Sequence, residues 1–245
     1  MAEQEIAQHS KNIISLVTTK HHPFAHRLRE IAIEIVTIVF AVSMSIWLHG
    51  LSEHYHQQQE VRSFLIGLRS DLKGDVATLT QMIAEYHRFD DNFAYLSRLE
   101  PGQAPDWGKF NKAYEFSDAN WFLIPNKSRF DGFMMSGKLS NIEDEAIQNG
   151  LLNLYQSVLP QIRASEGGWM SRQEKLRDYR DQVLGTDDPE DHYRLVTSPK
   201  GKLLLKRMTT SPLLYERYQQ YIDLSTQIIK AIDEAYPQSA GVKLH

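Results

Sequence analysis

His49, Glu53 and His56 stand four and three residues apart in the stretch WLHGLSEHYH, with His54 between them. On a helix that spacing puts the first three on one face, and imidazole with carboxylate is a donor set that suits zinc or copper. Three ligands on successive turns do not converge easily on one ion, and no second cluster in the chain completes a shell. The expectation is therefore solvated interfacial histidines at His49, His54 and His56, with no metal and no cofactor. The same holds for HHPFAH, His21 to His26.

Acid–base chemistry would have to draw on His87, Asp90 and Asp91 along one helix, or on Asp131 and His192 in loops. These read as ordinary exposed polar positions, so no catalytic function is expected. Asp187, Asp188, Glu190 and Asp191 form an acidic run without the spacing of a calcium loop. SGKL, Ser136 to Leu139, has the Gly-Lys of a phosphate loop but neither its earlier glycine nor its following hydroxyl.

The elements that must carry these residues follow from composition and pattern. The chain has 245 residues, 42% of them hydrophobic and 24% charged, which is enough to bury a core. Its formal net charge of -4 provides no global basic field, so nucleic acid is not an expected partner. It contains 0 cysteines, which removes disulfides and thiolate chemistry and leaves both cytoplasm and periplasm open.

Ile31 to Leu51, IAIEIVTIVFAVSMSIWLHGL, carries only Glu34 near one end and His49 near the other as ionisable groups. As a helix it is about 30 Å long, the thickness of a bilayer core. A run of this length also suits the core helix of a soluble protein, but here the whole circumference is apolar or small and the flanks fit a membrane. No small-residue cleavage site follows, so a retained anchor is expected rather than a signal peptide. Lys11, Lys20, Arg27 and Arg29 precede the run while only Arg62 and Arg69 lie in the comparable stretch after it. That bias places the N-terminus in the cytoplasm and the C-terminal part in the periplasm of a bacterial inner-membrane protein. Trp47 and Tyr55 suit the outer interface. The expected organisation is a cytoplasmic segment, 1–30, a transmembrane helix, 31–51, and an extramembrane helical domain, 52–245.

Glu34, Thr37, Ala41, Ser45 and His49 recur at three- and four-residue steps along one face of that helix. Small residues spaced by four allow close helix approach, which makes Thr37, Ala41 and Ser45 a candidate homo-oligomer interface. A carboxylate at membrane depth is a functional candidate by default, and an oligomeric ion or proton pathway centred on Glu34 is the alternative function. Pairing with Arg27 or Arg29, or snorkelling, accounts for Glu34 as well as self-association does, and better than conduction.

Beyond the anchor, Val61, Leu65, Leu68, Leu72, Leu79, Met82, Tyr86, Phe89, Phe93 and Leu96 alternate steps of four and three, with Asp75 at one core position. This predicts a long helix continuous with the membrane helix, packing as a bundle or coiled coil, with Gly74 as a bend point. EPGQAPD, Glu100 to Asp106, ends it; a shorter element over Trp107 to Phe122 follows, closed by Pro125. Gly137 is placed as a helix C-terminal cap, and Ser140 with Glu143 as a capping box opening the next helix. GTDDPEDHYRLVTSPKG reads as an acidic loop. Ser211 and Pro212 start a last helix whose stripe is Leu214, Tyr218, Tyr221, Ser225, Ile228, Ile232 and Ala235. No strand pattern is present, so the fold class is all-α, a single transmembrane helix continuing into the long helix of an extramembrane bundle.

REIAIEIVTIVFAVSMSIWLHGLSE, EVRSFLIGLRSDLKGDVATL and RFDGFMMSGKLSNIEDEAIQNGLLNLYQ occur in an order that resembles the bacterial membrane-protein family catalogued as domain of unknown function 6090, over Arg29 to Tyr155. At the membrane exit the chain has Leu48, His49 and Gly50 where the family has an amide-rich sequence. The resemblance implies location and fold; the family's function is itself unknown. The expected function is thus a membrane-anchored, self-associating sensing, binding or scaffolding protein with a protein partner outside the bilayer, and a membrane-anchored enzyme is the remaining alternative.

Overall fold

The computed structural model describes residues 24–115 and 121–237. Every regular element among them is helical. The first, α1, runs unbroken over Phe24–Arg98. The others are α2 (Trp107–Glu115), α3 (Ser128–Met135), a 3-10 turn over Lys138–Asn141, α4 (Glu145–Asn153), α5 (Leu159–Val183), α6 (Pro189–Thr197), α7 (Pro199–Arg207) and α8 (Pro212–Ala235). The chain divides into two compact units, 1–57 and 58–245, and α1 contributes to both.

In the first unit α1 is apolar and unburied. Every side chain from Ile31 to His56 is exposed, including Val36, Phe40, Ile46 and Trp47 at more than 60%. This is the one helix among the described residues long and apolar enough to cross a membrane.

In the second unit the heptad stripe of α1 is buried along its full length, Val61 to Leu96, in a single cluster with the α5 and α8 stripes. Tyr86, Phe89, Trp169 and Tyr218 form its aromatic centre, with Tyr86 edge-on to Trp169 at 5.4 Å between ring centroids. The seam is therefore filled from within one chain. Of the two packings the stripe allows, a bundle within one chain or a coiled coil with a second, the bundle is the one observed. Asp90 ties α1 to the start of α8 by accepting from the Thr210 N–H and the Tyr215 hydroxyl, and Arg69 ties it to the end of α8 through Asp233.

The caps explain where the sequence expectations hold and where they move. Gly137 adopts φ +73° and its N–H reaches the Met134 carbonyl, as a left-handed C-terminal cap requires. Helix α4 opens four residues later than the capping-box reading: Asp144 accepts from the Ala146 and Ile147 amides, while Ser140 sits in the 3-10 turn and donates to Gly137. Ser140 and Asp144 both offer a capping oxygen here, and Asp144, with extended backbone, takes the helix start. The segment read as an acidic loop is two short helices. Asp188 and Ser198 each cap a helix whose first residue is proline, so the acids, the serine and the prolines that look like loop chemistry are helix-start chemistry instead. Gly201 allows the α6–α7 joint to close, because a Cβ there would fall 2.0 Å from the Leu195 carbonyl oxygen. Helix α2 is described as far as Glu115, the expected end at Phe122 is not helical, and α1 passes through Gly74 as helix.

Helix α5 is an element the periodicity did not reveal. Its buried face reads Leu159, Ile162, Glu166, Trp169, Gln173, Leu176, so two polar residues interrupt the stripe. Pro160 stands inside the α4–α5 rod, and a π-helical turn over Leu154–Val158 precedes it. The wider turn absorbs the missing proline N–H, so the rod continues where the residue type suggests a stop.

Candidate functional site

Two regions carry polar groups in settings that call for explanation. The first is the apolar part of α1. Glu34, Thr37, Ala41 and Ser45 are all exposed on that helix. The Thr37 hydroxyl donates to the Ile33 carbonyl at 2.8 Å, one turn back, so its donor is already used within its own helix. That leaves Ala41 and Ser45 as the smooth part of the stripe. His49, Glu53 and His56 are exposed too, and Glu53 accepts from the Gln57 amide at 3.1 Å. Among the described residues no three histidines or acids gather around a common point. His21 lies outside the described residues.

The second region is the non-helical strap Trp121–Lys127. Two buried carboxylates hold it from opposite helices. Asp75 of α1, 1% exposed, accepts from the Asn126 amide at 3.0 Å, the Asn126 side chain at 2.8 Å and the Tyr221 hydroxyl at 2.9 Å. Glu166 of α5 accepts from the Leu123 amide at 2.8 Å and the Tyr218 hydroxyl at 2.6 Å. Tyr86 adds a third tie by donating to the Trp121 carbonyl at 2.7 Å. Each carboxylate thus binds one strap amide and one tyrosine of α8, and the strap has no helical or sheet partner to satisfy those amides otherwise.

Burial pushes both carboxyls above their ordinary range. For Asp75 the bonds from Asn126 and Tyr221 pull the other way, and Asp71 adds to the rise; for Glu166 Tyr218, Leu123 and Arg163 oppose it. The same burial raises the Tyr218 and Tyr221 hydroxyls, which stay protonated donors. A carboxyl whose folded-state affinity for protons exceeds its unfolded one stabilises the fold most below the unfolded value and loses that contribution as pH rises through the folded value. Wild type should therefore lose stability relative to Glu166→Gln from about pH 4.5 upward, measured as urea midpoints across a pH series. A difference that stays flat, or moves in favour of wild type toward neutral pH, contradicts this assignment.

The acid–base candidates have other work. Asp90 is the α8 tie described above, and His87 stacks on Tyr215 at 4.5 Å between centroids. Asp131 pairs with Lys127 at 2.8 Å. His192 stacks on Tyr114 and its Nε2 lies 2.9 Å from Asp187 Oδ1. His87 and Asp90 share one partner, Tyr215 of α8, whereas Asp131 and His192 are joined to other parts of the chain. Of the acidic run, Asp188 is a helix cap and Asp191 pairs with Arg194 and Thr186, while Asp187 faces His192. Glu166 is the polar centre that sequence reasoning missed. Its signal is weak: an acid at a core spacing inside a helix whose stripe is already broken by Gln173 and followed by Gly167 and Gly168.

Between the strap and α5 lies an open groove of about 430 Å³, walled by Phe122, Ile124, Pro125 and Met170 and floored by Glu166 and Gly167. Comparison of the chain with family models, with curated proteins and with solved structures gives no match.

Proposed function

We propose that this chain is a single-pass bacterial inner-membrane protein with a cytoplasmic N-terminus and a periplasmic helical domain that binds or scaffolds a protein partner without catalysing a reaction. The observation that carries this reading is the contrast within α1. Thirteen large apolar side chains between Ile31 and Leu51 are exposed, whereas the same helix buries its stripe completely from Val61 onward. Leaving those side chains in water forgoes on the order of 20 kcal/mol of transfer free energy, which a bilayer restores. The resemblance to domain of unknown function 6090 belongs to the same proposal, since it implies the same anchor and the same helical domain. The orientation is tested by single cysteines at Ser10 and Ser239 in this cysteine-free chain. An impermeant thiol reagent added to intact spheroplasts should label Ser239→Cys alone, and labelling of Ser10→Cys alone overturns the orientation.

Self-association through the membrane helix is part of the proposal. With the Val61 to Leu96 seam filled internally, Ala41 and Ser45 have to carry it, aided by Thr37. Ala41→Leu should then shift a crosslinked dimer population toward monomer by at least fivefold in lipid vesicles, while Val39→Leu leaves it unchanged. Equal crosslinking in the two variants removes the stripe as an interface.

A further inference from the structure

Gly167 and Gly168 stand in the interior of α5, where each costs the helix about 1 kcal/mol relative to alanine. Tight packing inside the chain does not explain them, because a Cβ at either position would meet nothing within 4 Å. Gly167 lies on the floor of the groove beside Glu166. Glu166 is 3% exposed, and both of its hydrogen bonds fall on Oε1; among the described residues none falls on Oε2. Three large apolar side chains, Phe122, Ile124 and Met170, are left at 48%, 73% and 39% exposure around this same point. Arg163, exposed and one turn earlier on α5, acts electrostatically on the same carboxyl. The groove thus combines apolar walls, a carboxylate oxygen that no protein donor reaches, one lining glycine of the helix backbone and a cation among its lining residues.

We propose that this groove docks an apolar segment of another polypeptide that ends in a free carboxylate, with a peptide N–H donating to Glu166 Oε2, the carboxylate against Arg163 and the peptide main chain lying over Gly167. The acceptor decides between a peptide and an acyl chain. A fatty acid would satisfy the walls and Arg163, but it has no amide to donate and would seal an unpaired oxygen under hydrocarbon, a loss that main-chain recognition avoids. The missing Cβ argues the same way, since a glycine floor suits the close approach of another backbone. This inference rests on the binding role proposed above and names its site and partner class; it does not depend on which way the chain crosses the membrane.

The test uses the full chain in phosphatidylcholine nanodiscs, with empty discs as reference. The probes are a fluorescein-labelled nonapeptide of leucine, valine and serine with a free C-terminus, the same peptide as its C-terminal amide, and oleate. Saturable binding of the free-carboxylate peptide is expected, weakened at least tenfold by Gly167→Leu, which fills the floor, and by amidation. Arg163→Ala should weaken the free-carboxylate form to the level of the amide. Gly168→Ala, which lines a different depression beside Trp169, should leave binding unchanged. Both glycine variants should melt no lower than wild type, so loss of binding in Gly167→Leu cannot be assigned to unfolding. Absence of saturable peptide binding, equal binding by Gly167→Leu, or binding of oleate alone overturns the proposal. Incorporation of every variant into the discs, scored on the same samples, reports the anchor separately from the groove.

Discussion

Asp75→Ala is expected to cost the 58–245 unit about 4 kcal/mol, enough to abolish its cooperative unfolding transition at temperatures where wild type is folded. The residue is 1% exposed and serves three donors at once: the Asn126 amide, the Asn126 side chain and the Tyr221 hydroxyl. Removing the acceptor leaves the buried Tyr221 hydroxyl unpaired and releases the exposed Asn126, and with it the strap, from α1. Tyr221→Phe removes one donor and no acceptor, so it should cost only about 1 kcal/mol. Urea unfolding followed by circular dichroism separates the two. Equal small losses would show that the strap amide finds water when Asp75 is gone and that the clamp is not a core element.

The second large effect concerns the apolar run. Val39→Arg with Val42→Arg places two guanidinium groups near the middle of the segment, where each costs about 3 kcal/mol of insertion free energy. Neither side chain packs against anything in the protein, as both are more than half exposed. Folding of the 58–245 unit should therefore be untouched while membrane insertion falls by two orders of magnitude or more. Loss of the helical unit's melting transition in this variant would mean that the run is a core helix after all.

What the sequence made legible and what it hid follow from one cause, the clarity of hydrophobic period. From Val61 to Leu96 and from Leu214 to Ile232 the apolar steps are regular, and every one of those stripe residues is buried; Ala235, one step beyond, is exposed. Even Asp75 showed itself as a polar residue at a core position, which is where the strap clamp turned out to be. Helix α5 stayed hidden because Glu166 and Gln173 occupy two of its six buried positions and a glycine pair sits between them. The short helices α6 and α7 stayed hidden because nine residues apiece is too few for a period to declare itself, and because Pro-plus-acid signals belong to turns and helix starts alike. The partner of the α1 seam was a question of tertiary structure, and periodicity cannot say whether a stripe meets its own chain or a second copy. The groove was out of reach for a similar reason: Phe122 and Ile124 come from the strap, Glu166 and Gly167 from a helix more than forty residues on.

The most direct test of the account is partition at alkaline pH. Full-length chain and residues 58–245 alone are mixed with lipid vesicles, washed with carbonate and floated on a density gradient. The full chain should float with the lipid and resist the wash, and 58–245 should remain in the aqueous fraction with the helical circular dichroism of a folded bundle. Full-length chain recovered in the aqueous fraction, or 58–245 floating with the vesicles, would contradict the claim that Ile31 to Leu51 is the membrane anchor of an otherwise water-soluble helical domain.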